Sequence, residues 1–77
     1  MKDEFSTRDL YLAAYLYSKG TILLRFDRGN DHAVWFAFKD KTKCSILQTE
    51  YLNRGMIIAK NYVIALRTLK NLIFSLT

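Results

Sequence analysis

The chain has one cysteine, one histidine, three glycines and no proline among its 77 residues. A lone thiol, Cys44, closes no disulfide within the chain. Together with His32 it also falls short of the four ligands of a structural zinc site. Without a disulfide framework the expected compartment is a reducing one, the cytoplasm. No stretch approaches the roughly 18 apolar residues of a membrane span, so no membrane contact is expected. The opening Met1-Lys2-Asp3-Glu4-Phe5 is charged with no apolar run behind it, and a signal peptide is not expected there. No linker, repeat or low-complexity segment interrupts the pattern, so residues 1–77 read as a single small domain. Acid is the remaining scarcity, since none occurs beyond Glu50.

What is present is apolar and basic. Hydrophobic residues make up 51% of the chain, enough to build a core and to exclude disorder. A core of this size leaves a stability margin of about 3–5 kcal/mol. With disulfides and zinc excluded, self-association as a homodimer is the supplement still open. The net charge is +5 and it is unevenly distributed. Residues 1–31 hold five basic and five acidic side chains, whereas residues 32–77 hold seven basic and two acidic ones. Such a balance favours a polyanionic or acidic partner.

Local patterns predict an α+β domain of order α-β-β-α-(β)-α, with an antiparallel hairpin or three-stranded sheet packed by helices. Ser6-Thr7-Arg8-Asp9 has capping-box spacing, with Ser6 as N-cap and Phe5 and Leu10 placed for a hydrophobic staple. The helix it opens is expected to end near Lys19 and stop at Gly20. Leu10, Ala13, Ala14 and Tyr17 fall on its inner side, and Arg8, Tyr11, Tyr15 and Lys19 on the other. Two strands follow, Thr21–Arg28 and Ala33–Lys39, joined by Gly29-Asn30-Asp31. A three-residue loop pairs Phe26 with Val34, Leu24 with Phe36 and Ile22 with Phe38 on one face, leaving Arg25 opposite Trp35 on the other. Asp40 is placed to cap a second helix running to Asn53 or Arg54 and stopped by Gly55, with Cys44, Leu47, Tyr51 and Leu52 on its apolar side. Met56-Ile57-Ile58 reads as a third strand or a buried connection. From Lys60 a third helix is expected, with Tyr62, Ala65, Leu66, Leu69, Leu72, Ile73 and Leu76 as its apolar stripe.

The opening Ser6-Thr7-Arg8-Asp9-Leu10-Tyr11-Leu12-Ala13-Ala14-Tyr15-Leu16 resembles the start of a family of short, uncharacterised domains of phages and bacterial mobile elements. Tyr51-Leu52-Asn53 and Ala65-Leu66-Arg67-Thr68-Leu69-Lys70-Asn71-Leu72 resemble the rest of that pattern in the same order. Leu52 departs from it, because an aromatic usually stands there. The resemblance implies a shared fold and a prokaryotic, phage-related origin, hence a host bacterial cytoplasm. It implies no catalytic residue.

Catalysis finds little support in the residues. A nucleophile needs a base within hydrogen-bond reach. His32 is the one histidine, at a turn, and Cys44 lies on an apolar helix face where a small buried hydrophobe is the simpler reading. No pair of carboxylates at helical spacing offers general acid/base work, and the glycines form no phosphate loop. Asp27-Arg28-Gly29-Asn30-Asp31-His32 is oxygen-rich but lacks the terminal glutamate of a calcium loop, so a polar hairpin turn is expected. No catalytic residue, metal or cofactor is assigned.

Binding remains. Arg25, Trp35 and Lys39 on the second sheet face combine an aromatic with cations, the chemistry that stacks bases and neutralises phosphates. A helix over that face would instead make Trp35 a core residue. Lys60, Arg67 and Lys70 on the last helix could track phosphates, yet Val63, Ile64 and Phe74 among them suit an interface or a self-association seam. Arg8, Tyr11, Tyr15 and Lys19 form a secondary candidate surface, alternatively packed against a neighbouring helix. The uneven charge and the Arg25–Trp35 pair favour an accessory module that binds nucleic acid through its basic and aromatic face; the alternative is a phage-encoded inhibitor or adaptor that binds and occludes a host protein.

Overall fold

The computed structural model of the chain describes residues 3–29, 33–53 and 59–76. The elements run β1 (Glu4–Thr7), α1 (Leu10–Ser18), β2 (Leu23–Arg28), β3 (Val34–Lys39), α2 (Lys41–Leu52) and α3 (Ala59–Phe74). The strands form one antiparallel sheet of order β1-β3-β2. The α+β class is as expected, but the strand that completes the sheet comes from the N-terminal segment. Met56–Ile58, Arg54, Gly55 and the turn residues 30–32 lie outside the described residues.

β1 is where the reading of residues 4–9 fails. Ser6 is no helix cap; it stands mid-strand opposite Ala37. Phe5 opposite Phe38 and Thr7 opposite Phe36 point inward, while Glu4 and Ser6 point out, the period of two that a strand requires. A four-residue strand has no independent stability, and it exists because β3 offers it a hydrogen-bonding edge and two phenylalanines. The cap moves to Asp9, whose Oδ1 accepts from the Tyr11 and Leu12 amides at 2.9 and 3.3 Å. Thr7 Oγ1 in turn accepts the Asp9 amide at 3.1 Å. The far end of α1 follows expectation. Gly20 adopts φ +89°, a conformation that favours glycine, and Thr21 Oγ1 donates to the Leu16 carbonyl at 2.6 Å.

The hairpin keeps its faces but changes its register. Phe26 pairs with Phe36 rather than with Val34, and the Gly29 amide donates to the Ala33 carbonyl at 2.7 Å. A shift of two residues preserves sidedness. A β-bulge between Leu23 and Arg25 then reverses it, turning Leu23 inward opposite Phe38. Leu24 is left 46% exposed, and Ile22 is exposed as well, so the expected Ile22–Phe38 and Leu24–Phe36 core pairs do not form.

The inner face of the sheet, with Phe36 and Phe38 buried, packs against α1 and α2, and α3 packs on α1. Leu12, Ala13, Ala14, Tyr15 and Leu16 are five consecutive buried residues, so the middle of α1 has no solvent face. Tyr15, expected on the outer side, is 2% exposed: its hydroxyl donates to Glu50 Oε1 at 3.3 Å and its ring lies 5.3 Å from that of Tyr51. The expected inner residue Tyr17 is exposed. The start of α2 is capped twice, by Asp40 Oδ1 accepting from Lys43 N–H and by Asp3 Oδ1 accepting from Lys41 N–H, each at 3.0 Å. Cys44 and Leu47 are buried and Leu52 is exposed. On α3, Ala65 and Leu69 are buried, flanked by half-buried Tyr62, Leu66, Leu72 and Ile73.

Three measurements test this arrangement. Asp9→Ala is expected to cost about 1 kcal/mol, the usual loss of an N-cap, while Ser6→Ala stays within about 0.5 kcal/mol. Urea titration distinguishes them, and the reverse order would restore the Ser6 cap. Across the bulge, Leu23→Ala is expected to lose about 1–2 kcal/mol and Leu24→Ala about 0.5 kcal/mol or less. Equal losses would remove the bulge. The third concerns alkaline pH. Burial, the Glu50 hydrogen bond and the Glu50 charge raise the Tyr15 phenol above its ordinary 10.0. Burial likewise raises Tyr51 and Tyr62 above 10.0 and Cys44 above 9.0. The folded chain therefore holds these protons to higher pH than the unfolded chain does. Their contribution is intact below about pH 9 and declines as pH rises past 9 and 10. Tyr15→Phe should flatten that decline in a series of urea midpoints against pH.

Candidate functional site

The sheet's outer face is uncovered by any described helix, since α1 and α2 occupy the inner one. Trp35, at 37% exposure, is not sealed in the core. Alternation along β3 brings Trp35, Ala37 and Lys39 to this face, and β2 adds Arg25 and Asp27. The expected trio Arg25, Trp35 and Lys39 thus shares one surface. Its electrostatics differ from expectation. Asp27, not Arg25, stands opposite Trp35, and Arg25 stands opposite Ala37. Arg25 reaches across β3 to form a bidentate ion pair with Glu4, with Nη2 to Oε1 at 3.0 Å and Nη1 to Oε2. Glu4 raises the Arg25 pKa further through that hydrogen bond and its charge. Ala37, the β3 residue opposite Arg25, is itself 5% exposed. Glu4 reaches Arg25 only because residues 4–7 form β1, which the sequence pattern does not announce.

At the far end of β3, Lys39 lines a shallow depression with Gly20, Ile22, Asp40 and Lys43. A strand rise of about 3.3 Å per residue puts Lys39 roughly 13 Å from Trp35. The face therefore presents Glu4 and Asp27 against Arg25 and Lys39, a balanced set in which one cation is already paired.

The outer face of α3 has a different character. At 3.6 residues per turn the side opposite Ala65 and Leu69 presents Lys60, Val63, Ile64, Arg67 and Phe74, with Lys70 at its margin. All six are exposed, Phe74 to 73%. Lys60, Arg67 and Lys70 make no ion pair with any described residue. Val63, Leu66, Arg67, Lys70, Asn71 and Phe74 line an open groove of about 330 Å³. These cations lie on α3, which packs on α1, so they do not join Arg25, Trp35 and Lys39 in one patch.

The secondary surface does not assemble. Arg8 precedes α1 and is not on it, Tyr15 is buried, and Lys19 Nζ lies over the Tyr15 ring at 5.3 Å. Tyr11 remains exposed, with its carbonyl accepting from the Tyr62 hydroxyl at 3.4 Å. Cys44 is buried against the Lys39 carbonyl. Among the described residues, no group of three or more His, Cys, Asp or Glu side chains could hold a metal ion, and no helix is long and apolar enough to cross a membrane.

Residues 2–75 match the sequence pattern of one protein family, described as a domain of unknown function, DUF5659. No curated protein and no solved structure matches the chain.

Proposed function

We propose, for a chain that belongs to the DUF5659 family of domains of unknown function, that it is a non-enzymatic protein-interaction module whose α3 face docks on an acidic surface of a partner protein. Its setting would be a phage or mobile element, and its target a host protein in the bacterial cytoplasm that it occludes or bridges.

One observation carries this reading. Lys60, Arg67 and Lys70 are interleaved with exposed Val63, Ile64 and Phe74 on one side of a helix, and the sequence holds no acid after Glu50. A solvated helix face is ordinarily polar, so large apolar side chains there call for a cover. A phosphate track needs the cations but has no use for valine, isoleucine and phenylalanine between them. A protein surface uses both, burying the apolar groups while its carboxylates meet the cations.

Nucleic acid binding through the sheet is the second reading, and uncovered Trp35 favours it. Against it, Arg25 is already engaged by Glu4, and Asp27 rather than a cation stands opposite the indole. An acid at that position repels a phosphate chain.

Affinity capture from bacterial lysate followed by reconstitution with the purified partner tests the two readings. A stoichiometric complex is expected that is lost in the triple variant Lys60→Glu, Arg67→Glu, Lys70→Glu and kept in Trp35→Ala. Gel shifts with short single- and double-stranded oligonucleotides near physiological salt are expected to show no binding. Retardation that disappears in a folded Trp35→Ala protein would overturn the protein reading in favour of nucleic acid.

A further inference from the structure

We infer that the occupant of the α3 face is itself an α-helix, amphipathic and acidic, laid along the line Lys60–Val63–Arg67–Lys70–Phe74. The inference rests on the protein-interaction reading and adds the partner's shape and residue pattern to it.

Spacing is the first argument. Lys60, Val63, Arg67, Lys70 and Phe74 are separated alternately by three and four residues, the repeat with which one helix meets another along a seam. An extended segment repeats every second residue and would stay in step with this line over a turn or two only. The line climbs about 21 Å at 1.5 Å per residue, roughly four turns, which is ample for a helix to lie on. The open groove beside it, bordered by Val63, Leu66, Arg67, Lys70 and Phe74, gives a partner side chain a notch to enter.

Charge selects the occupant. A second copy of this chain would bring the same three cations to the seam with no carboxylate on either α3, so self-pairing is repulsive. A polyanion without apolar groups would leave Val63 and Phe74 in water. The complementary helix has acids facing Lys60, Arg67 and Lys70 and apolar side chains facing Val63 and Phe74. Because two apolar contacts three turns apart bracket the middle cations, one register is preferred over its neighbours. Ile64 widens the apolar edge on one side.

A pair of lactam-stapled helical peptides of identical composition tests this with the whole chain. The patterned peptide has glutamates opposite the three cations and leucines opposite Val63 and Phe74, and its scrambled twin breaks the spacing. By fluorescence anisotropy the patterned peptide is expected to bind at least about tenfold more tightly than the scrambled one. Val63→Ser with Phe74→Ser, both surface changes checked for folding by circular dichroism, should erase that preference. The triple charge reversal of Lys60, Arg67 and Lys70 should abolish binding of both. Equal or tighter binding of the scrambled peptide overturns the helical occupant and leaves the acidic-partner reading standing. Failure of both peptides to bind overturns both. Binding that survives the charge reversal places the site elsewhere and overturns the inference.

Discussion

The fold turns on the burial of the middle of α1. Five successive residues, Leu12 to Leu16, are removed from water, which no helix achieves while lying on one surface. A helix in this position must be enclosed from several sides, and the sheet, α2 and α3 supply the enclosure. Ala13 and Ala14, both at 0% exposure, let neighbouring backbones approach closely. Tyr15 adds bulk, and its hydroxyl reaches Glu50 at the edge instead of being stranded. Once α1 is enclosed, each covering element has used one side. What remains exposed is the outer side of each, of which the sheet's and α3's differ in charge.

Those two surfaces inherit opposite electrostatics from the order of the chain. The sheet draws β1 and β2 from the N-terminal half, where acids and bases are equal in number, and it neutralises itself through Arg25 and Glu4. Such an exposed pair adds little stability. Its larger consequence is to take a guanidinium out of service as a ligand for phosphate. The C-terminal helix is drawn from a segment without acid, so no neighbour within α3 can neutralise its cations. Lys60, Arg67 and Lys70 thus stand on α3 with no acid in the same helix, while the single tryptophan lies on a face with no cationic surplus.

Legibility in the sequence divides along physical lines. Local signals were readable: the αL position at Gly20, the capping carboxylate of Asp40, and the apolar stripe of α3 are all set within a turn or two of the chain. Signals that depend on a distant partner were not. Residues 4–7 have one large apolar side chain, too little to announce a strand, and Ser6 and Asp9 mimic a capping box until Phe38 is known to stand opposite Phe5. The bulge at Leu24 was hidden for a related reason, since Ile22, Leu23 and Leu24 are interchangeable in hydropathy and the register alone decides which one turns inward. Helical periodicity puts Tyr15 on the outer side with Arg8, Tyr11 and Lys19, yet Glu50 and Tyr51 of α2 pack against it. Of the site residues, the cations and apolar groups of α3 were visible as a mixed face. The engagement of Arg25 was not, because its partner belongs to the strand that was missed.

The mixture on α3 also resolves a difficulty of small domains. Exposed valine, isoleucine and phenylalanine on one helix face invite self-association, particularly in a chain whose margin is only about 3–5 kcal/mol. Interleaving cations with them penalises approach by any surface of like charge, including a second copy, and leaves the apolar area available to a surface of opposite charge. Discrimination of this kind comes from the difference between two encounters and not from the strength of one. On the proposed reading, the same three cations that would disfavour a homodimer would favour a complex with an acidic helix. Under that proposal, neutral polar residues in their place would weaken the proposed contact and also lift the barrier to self-pairing. The cations of α3 would then act twice, and the scarcity of acid in the C-terminal half of the chain is what would permit both effects.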